Sequence, residues 1–316
     1  MSATTDRVTP VLDVGGTHVT AALVDLGFGR VVPGTTRRSS LDGAAPAHVL
    51  LDVIVRCGRD LAAPAETAWG VAVPGPFDYA EGIARFEGVG KFDALNGVDI
   101  GAVLRRELPG VPSTVVFVND AIAFSIGEWA FGAGEGHDRM VGITLGTGVG
   151  SGFLDDGVPV ASGPQVPPDG EVYQLRIDGR PLEDTVSRRA LLREYARLRP
   201  DSPCTDVRDI ADRAYAGDPA ADEVLRTAFT RLGLALAPWL SRFGATALVV
   251  GGSMSRSWDR VHPSLTAGIQ ASPDHGPDLH VVPARDSEMS ALLGAAWRAV
   301  RGGTARAGEC IPPEAR

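Results

Sequence analysis

A glycine-rich hairpin that occurs twice is the feature that most restricts how this chain can fold. Apolar residues at 9–14 and 18–25 flank Gly15-Gly16-Thr17, and those at 140–145 and 149–154 flank Gly146-Thr147-Gly148. Each pattern predicts a strand, a tight turn and a second strand, with glycines that let a phosphate group approach the backbone. One glycine turn is ordinary, whereas a matched pair with threonines at equivalent places predicts two copies of one α/β unit.

An aspartate follows a predicted apolar strand, and this strand lies between the two hairpins in the sequence. The strand is predicted over 114–118, and Asn119-Asp120 follow it at the start of a predicted helix. A side-chain oxygen at either position can cap that helix. Beside a phosphate loop, Asp120 can instead take the proton of an attacking hydroxyl and act as general base in phosphoryl transfer. Asp13 can hold Mg²⁺ through water, although alone it is equally compatible with a simple turn.

Three other motifs fit the sequence less well. Residues 146–150 have the glycine spacing of a dinucleotide-binding fingerprint, but that motif must open a helix. Residues 151–157 predict a strand and a turn instead, which disfavours an NAD-dependent oxidoreductase. Gly90-Lys91-Phe92 lacks the Ser or Thr and the upstream glycine of a P-loop, and the sequence has no G-x-S-x-G nucleophile elbow.

The composition predicts a globular, cytoplasmic protein with two lobes. A chain of 316 residues exceeds a typical single domain. A net charge of −9 disfavours nucleic acid as a partner, and no apolar run reaches the roughly 18 residues that a membrane span requires. Cys57, Cys204 and Cys310 lie far apart without a C-x-x-C pair, which disfavours disulfides and cysteine-rich metal sites. A homodimer is left open.

The order of predicted elements divides the chain into lobes. Residues 1–119 are assigned to a small N-terminal α/β lobe, joined by a C-terminal helix over 287–300. Residues 120–286 are assigned to a large α/β lobe. Residues 301–316 are small, polar and proline-bearing, so we expect them to form a mobile tail.

Three local expectations concern the large lobe. Ser253 is expected to cap the helix that follows a strand at 246–250. Residues 172–175 are expected to be a strand, and Pro238 is expected to kink the long helix that contains it.

The motifs together resemble the ROK family of sugar kinases and repressors over nearly the whole chain. In chain order they are Asp13-Val14-Gly15-Gly16-Thr17, Pro74-Gly75-Pro76, Asn119-Asp120-Ala121, Gly146-Thr147-Gly148-Val149-Gly150, Gly170-Glu171, Leu182-Glu183 and Gly251-Gly252-Ser253. The resemblance implies an α/β, two-lobed actin/hexokinase (ribonuclease-H-like) fold with a cleft between the lobes. It also implies ATP and a small-molecule sugar as substrates, together with Mg²⁺.

The same resemblance implies a role for each motif. ATP is expected on the two hairpins and a second glycine pair, namely Asp13, Gly15, Gly16, Thr17, Gly146, Thr147, Gly148, Gly251 and Gly252. The sugar is expected to contact Gly75, Asn119, Asp120, Glu171, Gln174 and Glu183. Asp120 is the expected general base.

The sequence departs from the family pattern where the family usually binds zinc. The family follows its first glutamate with Ile-Gly-His and a loop of three cysteines, whereas Glu171 is followed by Val172-Tyr173-Gln174-Leu175 and a short connection to Glu183. Gln174 takes the place of the histidine, so no zinc is expected and the sugar preference is open. Lys91, the only lysine, lies in a glycine-rich loop that borders the family's cleft, where it can contact either substrate or solvent.

These features predict transfer of phosphate to the 6-hydroxymethyl group of a hexose or close analogue. ATP is favoured as the donor, and the choice between ATP and polyphosphate is left open. Three carboxylates around the acceptor favour an amino sugar, with kanosamine (3-amino-3-deoxyglucose) first and glucose second. A cyclitol kinase and a non-catalytic sugar sensor of the same family are the alternatives. Because the first phosphate strand begins near residue 9, we expect no room for the DNA-binding helix-turn-helix of the repressors.

Overall fold

The structure is a computed structural model that describes residues 8–274 and 278–302. Its strands are β1 (Val8–Val14), β2 (His18–Asp25), β3 (Arg30–Val31), β4 (Arg37–Ser40), β5 (Ala68–Val73), β6 (Phe77–Asp78), β7 (Ile83–Ala84), β8 (Thr114–Asn119), β9 (Arg139–Leu145), β10 (Val149–Asp155), β11 (Val158–Pro159), β12 (Arg176–Ile177), β13 (Arg180–Pro181), β14 (Ala247–Gly251) and β15 (His280–Pro283). Its α-helices are α1 (Ala47–Arg59), α2 (Ile100–Glu107), α3 (Asp120–Phe131), α4 (Glu183–Val186), α5 (Arg188–Leu198), α6 (Val207–Tyr215), α7 (Pro219–Phe243), α8 (Trp258–Ala271) and α9 (Ser287–Gly302). Short 3-10 helices cover Asp93–Leu95, Pro168–Gly170, Val172–Gln174 and Ser253–Ser257.

The chain divides into two compact units. The first consists of Met1–Ala123 and Ala291–Arg316, and the second of Phe124–Ser290. The lobe boundaries predicted at 119/120 and 286/287 remain a prediction, and each unit is described by itself below. Of the predicted tail, Arg301 and Gly302 end α9, and residues 303–316 lie outside the described residues.

The first unit is built on a six-stranded sheet. The strand order is β3-β2-β1-β5-β8, and β4 also pairs with β2. β1 and β2 form the predicted antiparallel hairpin, whereas β1, β5 and β8 run parallel. Five of the six residues of β5 are buried, the pattern of a central parallel strand covered on both faces. α9 approaches β5 so closely that a Cβ on Gly70 would lie 2.2 Å from the carbonyl oxygen of Ala295.

The second unit repeats this arrangement in its five-stranded sheet. The order is β11-β10-β9-β14-β15, with β9 and β10 antiparallel and β9, β14 and β15 parallel. The path β2-β1-β5-β8 of the first sheet therefore corresponds to β10-β9-β14-β15 of the second. The two copies of one α/β unit predicted from the paired hairpins are confirmed at the level of sheet topology.

Closely packed helices support the second sheet. α7 and α8 cross at glycines: a Cβ on Gly233 would lie 2.2 Å from the carbonyl oxygen of Leu265, and one on Gly268 would lie 2.0 Å from that of Thr230. Buried side chains of α7, including Phe229 and Phe243, join the apolar core with residues of β9, β10 and β14. The hairpin between β9 and β10 thus stands on a rigid base.

Two local expectations were wrong, and the expected kink at Pro238 stays a prediction. Ser253 does not cap α8, since it begins a 3-10 helix and α8 begins five residues later at Trp258. Val172–Gln174 form a 3-10 helix rather than a strand, because the buried hydroxyl of Ser151 binds the backbone at Gly170 and Val172. α7 continues through Pro238 to Phe243.

Candidate active site

Three parallel strands of the first sheet end side by side and bring predicted site residues to one edge. Asp13 near the end of β1 lies opposite Ala72 of β5, and Asn119 at the end of β8 lies opposite Val73 of β5. The turn that contains Gly75 follows β5 directly, and α3 begins immediately after β8. Ligand sites of open α/β sheets lie at this carboxyl edge, where the loops after several strands meet.

Asn119 is fixed by hydrogen bonds at both ends of its amide. Its Oδ1 accepts from the backbone N–H groups of Ala121 at 3.0 Å and Ile122 at 3.2 Å, which caps α3. Its Nδ2 donates to the hydroxyl of Tyr79 at 3.1 Å, and that hydroxyl donates to the carbonyl oxygen of Val73 at 3.4 Å. The side chain is therefore oriented before any ligand binds.

Tyr79 and Gly75 lie beside Asn119 at this edge. A Cβ on Gly75 would be 3.3 Å from the Tyr79 hydroxyl and 4.0 Å from Nδ2 of Asn119. A side chain at position 75 would therefore narrow the space around the Asn119 amide. Sequence reasoning missed Tyr79, because a single tyrosine in a turn carries no motif.

Asp120 is the first residue of α3 and is half-buried. Its Oδ1 accepts from the Ala121 N–H at 2.8 Å. Burial raises the pKa of its carboxyl group, and the Ala121 N–H and the charge of Lys91 oppose this rise. A carboxylate with a raised pKa is a stronger base, which suits proton removal from a hydroxyl. Because Asn119 already caps α3, the helix does not depend on this carboxylate.

The first hairpin turns at Gly15 and Gly16. The Gly15 N–H donates to the carbonyl oxygen of His18 at 2.8 Å, which closes the turn. Thr17 is exposed at the tip, and its Oγ1 lies 2.9 Å from Nδ1 of His18. The side chain of Lys91 approaches the turn, since its Cδ lies 3.8 Å from the place of a Cβ on Gly16.

The second hairpin is supported by Glu183. The Gly146 N–H donates to the carbonyl oxygen of Gly148 at 3.0 Å, and Thr147 is exposed at the tip. Glu183 Oε1 accepts from the Val149 N–H at 2.8 Å and would lie 2.5 Å from a Cβ on Gly148. Glu183, a predicted sugar contact, is thus packed directly against a predicted phosphate loop.

The second glycine pair adjoins this hairpin. Gly251 at the end of β14 lies opposite Thr144 of β9. Gly252 has a φ of 86°, and a Cβ there would lie 2.3 Å from the carbonyl oxygen of Leu145. The Gly252 N–H donates to Ser287 Oγ at 2.9 Å. Only glycine permits both this conformation and this contact, so the pair and the hairpin form one surface.

A polar cluster surrounds Glu171. Ser151 of β10 is buried, and its Oγ donates to the carbonyl oxygen of Gly170 at 2.7 Å and accepts from the Val172 N–H at 3.0 Å. These bonds fix the backbone on both sides of Glu171. Gln174 Nε2 then donates to Glu171 Oε2 at 2.7 Å.

The phenol of Tyr173 belongs to the same cluster. Burial, a hydrogen bond with Glu171 and the negative charge of Glu171 raise the pKa of Tyr173 to about 12. Glu183 also contributes to this rise. Glu171 and Gln174 therefore form one polar cluster with the Tyr173 phenol, and the charge of Glu183 reaches that phenol. Sequence reasoning missed Tyr173 as a member of the cluster and Ser151 as its support.

A cavity of about 380 Å³ opens next to Gly252. Ser253, Met254 and Arg256 of the 3-10 helix after the glycine pair line it, together with Arg208, Asp212 and Tyr215 of α6. Its size and mixture of apolar and charged walls suit a nucleoside. The cavity walls lack a recognisable sequence motif, which explains why they were missed.

The structure describes the segment between Glu171 and Glu183, where the family's zinc loop is missing from the sequence. Among the described residues, no group of three or more His, Cys, Asp or Glu side chains is arranged to hold a metal ion. The absence of zinc remains a prediction. Each described helix is too short or too polar to span a lipid bilayer.

Comparison with known proteins places this arrangement in a family. A sequence profile of the ROK family matches residues 10–169 and 177–301. The chain belongs to the ROK family. The glucokinase of Thermotoga maritima is 27% identical over 309 residues, which cover 90% of this chain and 95% of that protein.

Solved structures agree with the family assignment. A ROK family glucokinase from Streptomyces griseus, crystallised with glucose and AMPPNP, is 25% identical with a TM-score of 0.73, over 93% of this chain and 100% of that chain. The glucokinase of Parabacteroides distasonis is 23% identical with a TM-score of 0.75, over 95% of this chain and 99% of that chain. The predicted actin/hexokinase-like fold is confirmed, and the matches support the predicted sugar kinase activity.

Proposed function

We propose that this ROK protein transfers the γ-phosphoryl group of ATP to the 6-hydroxymethyl group of a hexose. The position of Asp120 carries the proposal. Asp120 follows β8 at the same sheet edge as Asp13, which leads into the first phosphate hairpin. A raised carboxyl pKa at this place fits a general base, whereas a helix cap alone would not require it.

The reaction assigns one task to Asp120. The hexose 6-hydroxyl attacks the γ-phosphorus, and its proton passes to the Asp120 carboxylate. The new oxygen–phosphorus bond forms as the bond from the γ-phosphorus to the β,γ-bridging oxygen breaks, and ADP leaves with that electron pair. Asn119, already held by Tyr79 and the start of α3, would orient a neighbouring sugar hydroxyl.

Each unit has a glycine-lined backbone segment that suits the phosphate groups of a nucleotide. Gly15, Gly16 and Thr17 of the first hairpin and Gly146, Thr147 and Gly148 of the second would donate N–H groups to phosphate oxygens. Gly251 and Gly252 would lie along the adenosine, whose base and ribose the cavity beside Gly252 has room to hold. Asp13 suits Mg²⁺, because its carboxylate oxygen is a hard ligand two residues before Gly15. When bound, Mg²⁺ would neutralise charge on the phosphates.

The acceptor we propose is a glucose-like ring with an amine, with kanosamine the leading candidate and glucose second. Glu171 and Glu183 supply carboxylates in one neighbourhood, and Gln174 is a neutral residue bonded to Glu171. A hydrogen bond between an ammonium and a carboxylate contributes roughly 1.5–3 kcal/mol, about twice the contribution of a neutral pair. The difference of about 0.75–1.5 kcal/mol corresponds to a preference for the amine of about 4- to 13-fold.

A coupled ADP-release screen tests the proposal. Hexoses, amino sugars and cyclitols are offered with ATP and Mg²⁺, and the product is examined by ³¹P NMR for coupling to the C6 methylene protons. We expect one hexose class to be phosphorylated at that carbon. Polyphosphate replaces ATP in a parallel series to identify the donor.

Other outcomes of the screen would favour the alternatives. Phosphorylation of a cyclitol alone would make this chain a cyclitol kinase. Sugar binding by calorimetry without phosphate transfer from either donor would favour a non-catalytic sensor. Either result would overturn the proposed hexose kinase activity.

A further inference from the structure

Lys91 has a fixed backbone within an exposed loop. It precedes Phe92, whose side chain is 1% exposed and packs against Phe86 with ring centroids 5.4 Å apart. The Phe92 N–H donates to the carbonyl oxygen of Gly43 at 2.6 Å. Phe92 has a φ of 62°, a left-handed conformation that a phenylalanine keeps only where its surroundings hold it. The start of the Lys91 side chain is therefore anchored.

The aliphatic stem of Lys91 runs across two glycines toward the first phosphate hairpin. Its Cβ lies 3.3 Å from the place of a Cβ on Gly43, and its Cδ lies 3.8 Å from the place of a Cβ on Gly16. The two glycines leave a channel for the stem, which is half-buried. This course brings the ammonium-bearing end of the side chain close to the hairpin.

The ammonium lacks a protein partner at this position. Within the described residues it forms no ion pair at 4.0 Å or less and no side-chain hydrogen bond. Its charge nevertheless acts on Asp120, where it lowers the carboxyl pKa against the effect of burial. A cation and a carboxylate thus share one region of the first unit without forming a salt bridge. An ammonium held in this way is suited to an anionic ligand.

We propose that Lys91 contacts the phosphoryl group during transfer, donating hydrogen bonds to its non-bridging oxygens while Asp120 accepts the proton of the acceptor hydroxyl. The inference rests on the proposed kinase function and adds a catalytic residue to it. Charge on the transferred group spreads over its outer oxygens in the transition state, so a positioned cation stabilises it there. The chain has no other lysine to take this part.

Calorimetry of nucleotide binding, with no sugar present, tests whether Lys91 contacts the γ-phosphoryl group. Lys91→Met keeps the length of the apolar stem and removes the charge. We expect it to weaken AMPPNP binding about tenfold and to change ADP binding less than twofold, because only AMPPNP has a γ-phosphoryl group. Arg59→Met, which removes an exposed cation paired with Glu107 at 2.8 Å, is the control and should change neither.

The steady-state kinetics of Lys91 variants provide a second test. Lys91→Met should lower kcat about 10²–10³-fold with little change in the KM for sugar, and Lys91→Arg should restore part of the rate. If Lys91 acted only by tuning Asp120, the acid limb of the pH profile would move to higher pH while the AMPPNP-to-ADP affinity ratio stayed unchanged. That combination would overturn the proposal.

The single lysine also permits a test on the unaltered protein. Trinitrobenzenesulfonate should label Lys91 and an N-terminal amine, and peptide mass spectrometry distinguishes the two. We expect AMPPNP to protect Lys91 strongly and ADP to protect it weakly, and equal labelling in both would contradict the contact. A protein that distinguishes AMPPNP from ADP through Lys91 but phosphorylates no hexose would refute the proposed acceptor and retain the Lys91 contact.

Discussion

The side-chain amide of Asn119 donates a hydrogen bond to the hydroxyl of Tyr79 across 3.1 Å. This bond links the end of β8 to the turn between β6 and β7 and orients the amide at the proposed acceptor site. Tyr79→Phe removes the acceptor, and a hydrogen bond of this kind contributes about 0.5–1.5 kcal/mol. We therefore expect the KM for sugar to rise about 2- to 12-fold with the KM for ATP unchanged.

A second tyrosine provides the matched control for this prediction. Tyr215 lines the cavity beside Gly252, and its hydroxyl donates to Asp259. Tyr215→Phe should change the KM for ATP and leave that for sugar alone. If both variants altered the same KM, the assignment of one tyrosine to each substrate would be wrong.

The ionised carboxylate of Asp120 should lower the thermal stability of the protein at neutral pH, although turnover depends on it. The pKa of the Asp120 carboxyl group is raised in the folded protein. Its contribution to the free energy of unfolding is therefore fully present below the pKa that the group has in the unfolded chain, and it is lost as the pH rises through the pKa of the folded protein. Asp120→Asn stays neutral and should unfold at the same or a higher temperature at pH 7. Turnover should fall about 10²–10⁴-fold because the base is gone. Lower thermal stability with normal turnover would make Asp120 a helix cap.

The sequence predicted those parts of the site that depend on local backbone chemistry. The hairpins at Gly15 and Gly146 follow from strand patterns broken by glycine, and parallel strands then bring Asp13 and Asn119 to one edge. The approach of Lys91 to Gly16 could not be predicted, because it depends on the burial of Phe92 and on its bond to Gly43.

For the segment after Glu171, the sequence predicted the wrong secondary structure. Val172-Tyr173-Gln174-Leu175 has the composition of a strand. The buried hydroxyl of Ser151, about twenty residues upstream, instead binds the backbone at Gly170 and Val172, and the Leu175 N–H closes a 3-10 turn on the carbonyl oxygen of Val172 at 3.0 Å. Tertiary hydrogen bonds of this kind override local propensity and carry no signal in a single sequence.

Gly252→Ala should disrupt nucleotide binding through a backbone collision. Position 252 combines a φ of 86° with a Cβ position 2.3 Å from the Leu145 carbonyl oxygen. Gly217 provides a matched control, since it has a φ of 87° and nothing within 4 Å of its Cβ position. Gly217→Ala should lose about 1 kcal/mol of unfolding free energy from strain alone, and Gly252→Ala should lose more. Equal losses in chemical denaturation, with equal ATP binding, would contradict the close approach.

The protein should contain no structural zinc. A structural site needs about four ligands, usually Cys or His, and Gln174 stands where the family has a histidine. Elemental analysis after dialysis should find less than a tenth of an equivalent of zinc, and a zinc chelator should leave turnover with added Mg²⁺ unchanged. Stoichiometric zinc that resists chelation would refute this prediction.

Removal of the negative charge of Glu171 should show whether the protein recognises the amine of an amino sugar. Glu171 accepts from Gln174 at 2.7 Å, and Glu171→Gln keeps the shape of the side chain while it removes the carboxylate. If the carboxylate binds an ammonium, kcat/KM for kanosamine should fall about tenfold more than kcat/KM for glucose. The 2-amino analogue of glucose serves as the positional control, because it places the same charge on the neighbouring carbon. A wild-type protein that prefers glucose to both amines, or a variant that loses all three substrates equally, would refute amine recognition and leave the hexose kinase proposal intact.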